Sequence, residues 1–331
     1  MRIGIVTPAP SGSTYGNRIT ALRWARILRK LGHRVGISVA YENDPYDLLI
    51  ALHARRSFSS IKRFSNGNND APLIVALTGT DLYRDIRSNH LARKSLEIAT
   101  RIVVLQAKGL KELEPRLRGK TRVIHQSAED AHITSKRAVR SATRPSPGFV
   151  VCVIGHLRPV KDPFRAALAA RLLPHSSRIR ILQIGTAMTE AMARRAQAEM
   201  RTNPRYRWVG ERPQSRARRI LTNSQLCVLS SRMEGGANIL SEAIVASVPI
   251  LASRIDGNVG VLGSDYPGLF RVGDTHQLAR LLSRAETDPG FLEELRDRVR
   301  ELAPIFDPER EQRAWANLIE EVSTEAFARQ L

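Results

Sequence analysis

Two glutamates, eight positions apart, frame the segment Glu234-Gly-Gly-Ala-Asn-Ile-Leu-Ser-Glu242. An apolar run ending at Ser231 precedes it and the stretch Glu242-Ala-Ile-Val-Ala follows, a pattern that predicts strand, glycine turn and helix. The turn itself consists of Gly235, Gly236 and Ala237. Such a turn brings backbone N–H groups close to a ligand, and a helix beginning near Asn238 adds the positive end of its dipole. The segment therefore predicts a diphosphate site.

The two carboxylates give that site a second kind of chemistry. Glu242 would lie about one turn into the helix, where a carboxylate can accept hydrogen bonds from two vicinal ribose hydroxyls. Glu234, at the turn, could reach a sugar beyond the phosphates. Hydroxyls at both ends of a diphosphate describe a nucleotide sugar. The alternative is that Glu234 is a solvated turn residue and Glu242 a carboxylate favoured by the helix dipole.

The length and composition predict a soluble protein of two domains. The 331 residues show no break in composition, and 42% hydrophobic with 25% charged residues is typical of globular chains. No apolar run reaches the length of a membrane span, and the strand-like N-terminus leaves no room for a signal peptide, so we expect a cytoplasmic protein. Cys152 and Cys227 lie in apolar runs and are expected to be reduced core residues.

The positive charge is concentrated in the first half of the chain. Residues 1–150 contain 26 Lys and Arg against 11 Asp and Glu, a net charge of +15 out of +20 for the whole chain. Such a domain would attract a small anionic substrate, an acidic membrane surface or a nucleic acid. A compositional origin carries equal weight, because 44 of the 52 basic residues are Arg.

Short apolar runs alternate with amphipathic stretches along the chain. In the first half we predict strands at 2–7, 34–39, 48–52, 73–78, 101–105 and 122–125. A helix is predicted over 17–31, with Ile19, Leu22, Ala25, Ile27 and Leu31 on one face. After a Ser, Thr, Arg and Pro rich linker over 126–148, strands are predicted at 149–155, 178–185, 206–210, 226–230 and 249–253.

This rhythm predicts an α/β fold with two doubly wound, Rossmann-like domains whose strand ends face one cleft. The N-terminal domain is predicted over 1–145 and the C-terminal domain over 146–307. A helix over 308–331, with Trp315, Ile319, Val322 and Phe327 on one side, is expected to pack back across the domain junction.

Taken together, these patterns resemble the GT-B glycosyltransferases, specifically the large retaining family with a Glu-x7-Glu motif. The stretch Gly155-His-Leu-Arg-Pro-Val-Lys161 looks like the glycine turn and diphosphate-binding basic pair of that family, and Leu77-Thr-Gly-Thr-Asp81 looks like its acceptor loop. The sequence departs from the family pattern at three places. His156 stands where Arg is usual, Gly236 and Ala237 replace an aromatic and Gly, and Thr78 stands where His is frequent.

A narrower resemblance accompanies those departures. Val-Ile-Gly-His-Leu-Arg-Pro-Val-Lys-Asp-Pro-Phe-Arg, Ala76-Leu-Thr-Gly-Thr-Asp-Leu-Tyr-Arg-Asp and Ser-Ser-Arg-Met-Glu-Gly-Gly-Ala-Asn are similar to the selenosugar synthases of selenoneine biosynthesis, the SenB family. That resemblance implies transfer of N-acetylglucosamine or glucose from a UDP-sugar to the selenium of selenophosphate, with loss of phosphate. The partners expected are thus a UDP-sugar and selenophosphate.

On the donor side, Lys161 and Arg158 would neutralise the departing diphosphate, and Glu234 would meet the sugar. The donor-binding set is Gly155, His156, Gly235, Gly236, Ala237, Asn238, Glu242, Gly16 and Asn17. The last two lie in a Gly and Ser rich loop that could bind an anion or close over the donor, although a plain connecting loop is an equal alternative.

On the acceptor side, His53, Arg55 and Arg56 follow a predicted strand and should lie at its carboxyl end. Thr80 and Arg18 complete the expected acceptor set, and Asp81 is predicted to be catalytic, together with Lys161, Arg158 and Glu234. Asp81 would orient the acceptor or balance charge near the anomeric carbon, since selenophosphate is already deprotonated and needs no base for attack.

Other classes fit the sequence less well. A conventional transferase with a lipid, polysaccharide or small-molecule hydroxyl acceptor is the main alternative. Nucleic-acid binding is suggested by charge alone, with aromatic residues at 5% and no recognition motif. No Asp-x-Asp is present, so we expect no metal requirement and no other cofactor. The pattern makes no prediction of oligomeric state.

Overall fold

The structure, a computed structural model, describes residues 1–67, 71–129 and 148–330. The chain divides into two compact units. Unit 1 contains Met1–Ser127, Glu234–Ala237 and Asp307–Leu331, and unit 2 contains Ala128–Met233 and Asn238–Phe306. The predicted boundary at 145/146 lies outside the described residues, as does most of the predicted linker, so the predicted domain limits stay a prediction.

Unit 1 is built on a six-stranded parallel sheet in the order β2-β1-β3-β4-β5-β6. The strands are β1 Arg2–Val6, β2 Arg34–Ser38, β3 Leu48–Leu52, β4 Leu73–Leu77, β5 Arg101–Val104 and β6 Thr121–Val123. Every residue of β3 and β4 is buried, as expected of central strands covered on both faces. The helices of this unit are Gly16–Lys30, Phe58–Gly67, Ile86–Ser88, His90–Ile98, Pro115–Arg118 and Pro308–Gln330.

The helix Gly16–Lys30 confirms the predicted helix but not its predicted face. Leu22 is 46% exposed, whereas Ala21, Trp24, Ala25 and Leu28 are buried. The buried set follows the i, i+3, i+4, i+7 spacing counted from Ala21.

The C-terminal helix Pro308–Gln330 packs on that helix within unit 1. Trp24 and Trp315 meet edge to face, with ring centroids 4.7 Å apart. Trp315, Ile319 and Val322 are buried as predicted, but Phe327 is 65% exposed. Five residues past Val322 place Phe327 about 140° around the helix, away from the buried face. Packing of this helix across a domain junction stays a prediction.

The buried carboxylate of Glu311, on the C-terminal helix, is hydrogen-bonded to Trp24 and to Ser127. Glu311 accepts hydrogen bonds from Trp24 Nε1 at 2.9 Å and from the backbone N–H of Ser127 at 2.8 Å. Burial raises the pKa of Glu311, and the charge of Arg23 and the hydrogen bonds from Ser127 and Trp24 oppose that rise.

Unit 2 contains a second six-stranded parallel sheet, in the order β12-β11-β10-β7-β8-β9. The strands are β7 Phe149–Ile154, β8 Ile179–Ile184, β9 Tyr206–Trp208, β10 Leu226–Leu229, β11 Ile250–Ser253 and β12 Leu269–Phe270. The helices are Arg165–Ala170, Glu190–Thr202, Gln214–Thr222, Asn238–Val245, Asp256–Leu262, Thr275–Thr287 and Pro289–Leu302. Eleven strands confirm the sequence prediction, and β12, at two residues, was not predicted.

The two cysteines face each other across neighbouring strands of this sheet. Cys152 of β7 pairs in register with Cys227 of β10, and both are free and fully buried. Hydrogen bonding to Cys152, burial and the charges of Cys152 and Glu242 raise the pKa of the Cys227 thiol. The predicted core position of both cysteines is confirmed, and their reduced state stays a prediction.

Candidate active site

The predicted basic loop of unit 2 follows directly on strand β7. The strand ends at Ile154, and a single 3₁₀ turn, Pro159–Lys161, follows Arg158. Proline at the first position of that turn presets its backbone dihedral. The loop therefore places Arg158 and Lys161 at the carboxyl end of a central strand, the edge at which open α/β sheets bind ligands.

Close packing against the next strand fixes the start of this loop. The backbone N–H of Leu157 donates to the carbonyl of Thr186 at 2.8 Å, and that of Gly155 donates to Ile184 at 2.9 Å. Gly185 has φ +139°, and a Cβ there would lie 2.2 Å from the Gly155 carbonyl oxygen. Only glycine allows this approach.

His156 is oriented by the same pair of loops. Its Nδ1 accepts a hydrogen bond from the backbone N–H of Thr186 at 3.3 Å, so the neutral ring carries its proton on Nε2. The Thr186 hydroxyl in turn donates to Glu211 Oε2 at 2.7 Å. Thr186 and Glu211 were not predicted as site residues, and their only sequence signal was their position after strands β8 and β9.

Asn238 and Glu242 lie on the helix that begins just after the glycine turn. Asn238 is the first residue of Asn238–Val245, and its carbonyl accepts a hydrogen bond from the Ser241 hydroxyl at 2.9 Å. No acidic side chain lies in the first turn of this helix. The half-buried Glu242 lies one turn further on, and an anion site at the backbone amides of this helix start stays a prediction.

The turn itself, Glu234–Ala237, belongs to unit 1. A Cβ on Gly235 would lie 2.7 Å from the backbone nitrogen of Gly79, and one on Gly236 would lie 2.8 Å from Leu105 Cβ. Glycine at 235 is therefore required by close backbone packing. Glu234 is 8% exposed, which contradicts the alternative of a solvated turn residue.

In unit 1, Asp81 holds the loops that follow β3 and β4. Its side chain is fully buried and accepts hydrogen bonds from the backbone N–H groups of Gly79 at 2.8 Å, Thr78 at 3.1 Å and Ala54 at 3.1 Å. Charged hydrogen bonds of this kind are stronger than neutral ones. These contacts describe a scaffold, and a direct role of Asp81 at the anomeric carbon stays a prediction.

His53 lies between those loops in a strained conformation. Its φ is +72°, in the left-handed region, and it is 4% exposed. Nδ1 accepts from the backbone N–H of Arg56 at 3.4 Å, and Nε2 lies 3.2 Å from Thr80 Oγ1. The neutral ring therefore donates from Nε2 to Thr80, whose hydroxyl proton is left for another acceptor.

Asp85, which was not predicted, completes this cluster. Its Oδ2 lies 3.9 Å from His53 Nε2 and 3.2 Å from Arg55 Nε, and its Oδ1 accepts from Arg84 Nε at 3.2 Å. The sequence signal was the spacing Asp81-x3-Asp85, which places both carboxylates on one wide helical turn. Of the predicted acceptor residues, His53, Arg55 and Thr80 are thus brought together, while Arg56 is exposed.

The remaining predicted residues lie at a helix start in unit 1. Gly16, Asn17 and Arg18 form the first turn of Gly16–Lys30, which has no acidic side chain. A Cβ on Gly16 would meet nothing within 4 Å, so space does not require glycine there. Their roles in binding stay predictions.

Comparison with known proteins identifies the family. A sequence profile described as "Glycosyl transferases group 1" matches residues 135–304, just over half of the chain. The chain belongs to this family. A group 1 glycosyl transferase relative from Xenopus tropicalis, "Glycosyltransferase 1 domain-containing protein 1", is 25% identical over 303 residues, which are 83% of this chain and 85% of the relative.

Solved structures show the same fold. Anabaena HepE in complex with UDP and glucose superposes with a TM-score of 0.74 at 14% identity, over 97% of this chain and all of HepE. Sucrose-phosphate synthase from Thermosynechococcus elongatus has a TM-score of 0.76 at 16% identity, over 98% of this chain and 99% of that enzyme. The predicted GT-B architecture, α/β with two parallel-sheet domains, is confirmed.

Membrane spans and metal clusters are both absent from the described parts of the chain. Within residues 1–67, 71–129 and 148–330, no helix has the length and apolar character needed to cross a bilayer. In those same parts of the chain, no group of three or more His, Cys, Asp or Glu side chains is arranged to hold a metal ion. Independence from metal, a cytoplasmic location and the absence of nucleic-acid binding stay predictions.

Proposed function

We propose that this group 1 glycosyl transferase uses a UDP-sugar as donor. The observation that carries the proposal is the loop Gly155–Lys161, fixed at the carboxyl end of β7 with two cations on it. In the same unit, the helix beginning at Asn238 directs backbone amides toward an anion position, and Glu242 supplies a carboxylate for ribose hydroxyls. The structural neighbour HepE binds UDP and glucose.

We further propose selenophosphate as acceptor, on the motifs shared with the selenosugar synthases. The selenium lone pair would attack the anomeric carbon while the bond to the diphosphate oxygen breaks and its electron pair leaves on UDP. Water would then attack phosphorus, the P–Se bond would break, and a 1-seleno sugar and inorganic phosphate would result. N-acetylglucosamine and glucose are the expected sugars.

In unit 1, the side chains of His53, Arg55, Thr80 and Asp85 form a group, called the acceptor cluster, whose chemistry supports an anionic acceptor. Thr80 Oγ1 accepts a hydrogen bond from His53 Nε2. The Thr80 O–H can therefore donate to another acceptor, such as a phosphate oxygen. The Arg55 side chain is 40% exposed although its Nε pairs with Asp85, which leaves part of the guanidinium fork at the surface. The net charge of +15 over residues 1–150 favours the approach of an anion.

A hydroxyl acceptor is the second candidate, and the carboxylates around His53 favour it. The ring lies 4.0 Å from Asp81 Oδ2 and 3.9 Å from Asp85 Oδ2. For the ring to take a proton from an alcohol, it must first give up the Arg56 N–H that occupies Nδ1, after which the two carboxylates would stabilise the imidazolium. Selenophosphate needs no such base.

Anaerobic incubation with selenophosphate and either UDP-N-acetylglucosamine or UDP-glucose tests both the proposed donor and the proposed acceptor. Mass spectrometry follows the release of UDP and the formation of the seleno sugar. We expect a seleno sugar, and a fall in kcat/KM of roughly 100-fold or more for Lys161→Ala because a charge-stabilising cation is lost. Arg201→Ala, an exposed arginine of unit 2, is the matched control and should retain activity.

Glycerol and glucose, supplied in place of selenophosphate, test the second candidate. Turnover with these alcohols but not with selenophosphate would overturn the selenosugar assignment and retain UDP-sugar transfer. Failure to release UDP with any acceptor, together with failure to bind UDP, would overturn donor use as well.

A further inference from the structure

Three successive carbonyls of the loop that carries Lys161 are held by the segment after strand β10. The Ser230 hydroxyl lies 2.9 Å from the carbonyl oxygen of Asp162 and 3.2 Å from that of Lys161, so it donates to both. The backbone N–H of Arg232 donates to the carbonyl of Val160 at 2.8 Å. The acceptors are all main-chain carbonyls. The hydrogen bonds from Ser230 and Arg232, together called the tether, therefore fix the loop whatever side chains it carries.

Ser230 is buried, and the residue after it is hydrogen-bonded to a neighbouring segment. Its residue is 3% exposed, and the carbonyl of the next residue, Ser231, accepts a hydrogen bond from the Ser253 hydroxyl. Asn258 Nδ2 donates to the Ser253 carbonyl at 2.9 Å. A buried hydroxyl that donates to two carbonyls has few alternative orientations, so its loss would leave those carbonyls with unmet hydrogen-bonding capacity.

The end of the loop has an unusual backbone that the tether must sustain. Asp162 has φ +45° and ψ +52°, a left-handed conformation that costs free energy for any residue except glycine. Its Oδ2 accepts from Arg165 Nε at 2.9 Å, and Arg165 donates onward to the Thr275 hydroxyl at 2.6 Å. The backbone before and after Lys161 is therefore fixed from two sides.

We infer that Ser230 is a positioning residue for Lys161, one that aims the ammonium group at the donor diphosphate by fixing the main chain from which the lysine extends. This rests on the proposed function, in which Lys161 binds the diphosphate. A lysine side chain has a long flexible stem, so the position of its backbone decides how much rotamer freedom is lost on binding. Along the chain, Ser230 and Arg232 lie after strand β10 and before the turn that precedes the helix at Asn238.

Binding of UDP and of uridine by Ser230→Ala distinguishes positioning from general structural damage. We expect UDP to bind roughly tenfold more weakly, because one buried hydrogen bond is worth about that factor, whereas uridine affinity should stay within about twofold. Ser224→Ala is the matched control, since that buried hydroxyl donates to the Ile220 carbonyl and lies away from the loop. Its UDP affinity should equal that of the unmodified protein.

A double-mutant cycle with Lys161→Ala tests whether Ser230 acts through the lysine. In the Lys161→Ala background, Ser230→Ala should weaken UDP binding by less than about twofold, because the group it positions is gone. The same tenfold loss in both backgrounds would overturn the inference. So would an equal loss of UDP and uridine affinity, or unchanged UDP affinity in Ser230→Ala.

Uridine and UDP binding by the unmodified protein distinguishes failure of the proposed donor site from failure of the role of Ser230. If it binds uridine and UDP alike, the diphosphate contributes nothing, and both the proposed donor site and the role of Ser230 are wrong. If it prefers UDP and Lys161→Ala removes that preference while Ser230→Ala does not, the donor site stands and only the positioning role is wrong.

Discussion

At the scale of single residues, Asp81 shows how one buried carboxylate can hold two loops in place. The sequence pattern predicted that it lies at a strand end and orients the acceptor or balances charge near the anomeric carbon. In the structure, both of its oxygens accept backbone N–H groups, from Thr78 and Gly79 after β4 and from Ala54 after β3. Those loops carry His53 and Thr80, so Asp81 supports the acceptor cluster whether or not it contacts substrate.

Asp81→Asn is therefore expected to destabilise the fold. An amide NH₂ would face backbone donors in place of one carboxylate oxygen, and we expect the free energy of unfolding to fall by about 2–4 kcal/mol. Urea denaturation measures this change in the free energy of unfolding. The control is Asp47→Asn, whose exposed carboxylate also accepts a backbone N–H, from Arg2, and which should change the value by less than about 0.5 kcal/mol. Equal effects of the two substitutions would contradict the scaffold role of Asp81.

At the scale of elements, hydrophobic patterning predicted strands better than helix faces. The runs Leu48–Leu52 and Leu73–Leu77 are wholly apolar and wholly buried, so sequence alone located them. Leu22 and Phe327 were assigned to buried faces because they are apolar, yet both are exposed. The partner against which a helix packs decides which stripe is buried, and a single sequence does not contain that information.

The same limit applies to the candidate site, where sequence patterns located some residues but not those that depend on tertiary contacts. Strand ends and glycine turns located Lys161, His53 and Thr80, because parallel sheets bind ligands at their carboxyl edge. Asp85 and Ser230 were not predicted, since their importance comes from hydrogen bonds and ion pairs formed only when distant segments meet. Glu311 was missed for that reason too, because nothing local marks it as buried.

Glu311 gives the C-terminal helix a pH dependence whose sign follows from its burial. Its pKa is raised, so the folded state favours the protonated form and the stabilisation from that proton is lost as pH rises through the raised pKa. Glu311→Gln stays neutral at every pH. The stability of the unmodified protein, relative to this variant, should therefore fall as pH rises from the ordinary glutamate value of 4.5 through the raised pKa of the folded state.

Urea denaturation at several pH values measures this difference. Glu309→Gln, an exposed carboxylate on the same helix, is the control and should follow the unmodified protein in parallel. A relative stability of Glu311→Gln that does not change with pH would show that Glu311 titrates alike in the folded and unfolded chain.

At the scale of the whole molecule, the net charge of +20 can contribute to function by attracting an anion. Many arginines in the described parts of the chain are committed to ion pairs, as Arg101 is with Glu321 at 3.0 Å. Pairing of this kind leaves the net positive charge unchanged, and the absence of nucleic-acid binding stays a prediction. Attraction of a small charged acceptor requires only the field.

That field predicts a dependence of acceptor capture on salt. At saturating UDP-sugar, kcat/KM for selenophosphate should fall roughly 3- to 10-fold between about 20 and about 200 mM NaCl, because salt screens charges beyond about 10 Å. Hydrolysis of the UDP-sugar, which uses neutral water as acceptor at the same donor concentration, is the internal control and should change less than about twofold. Stopped assays of UDP release with and without selenophosphate give both rates. If both fall alike, salt acts on the donor or on the fold, and the positive charge of the first half does not serve acceptor capture.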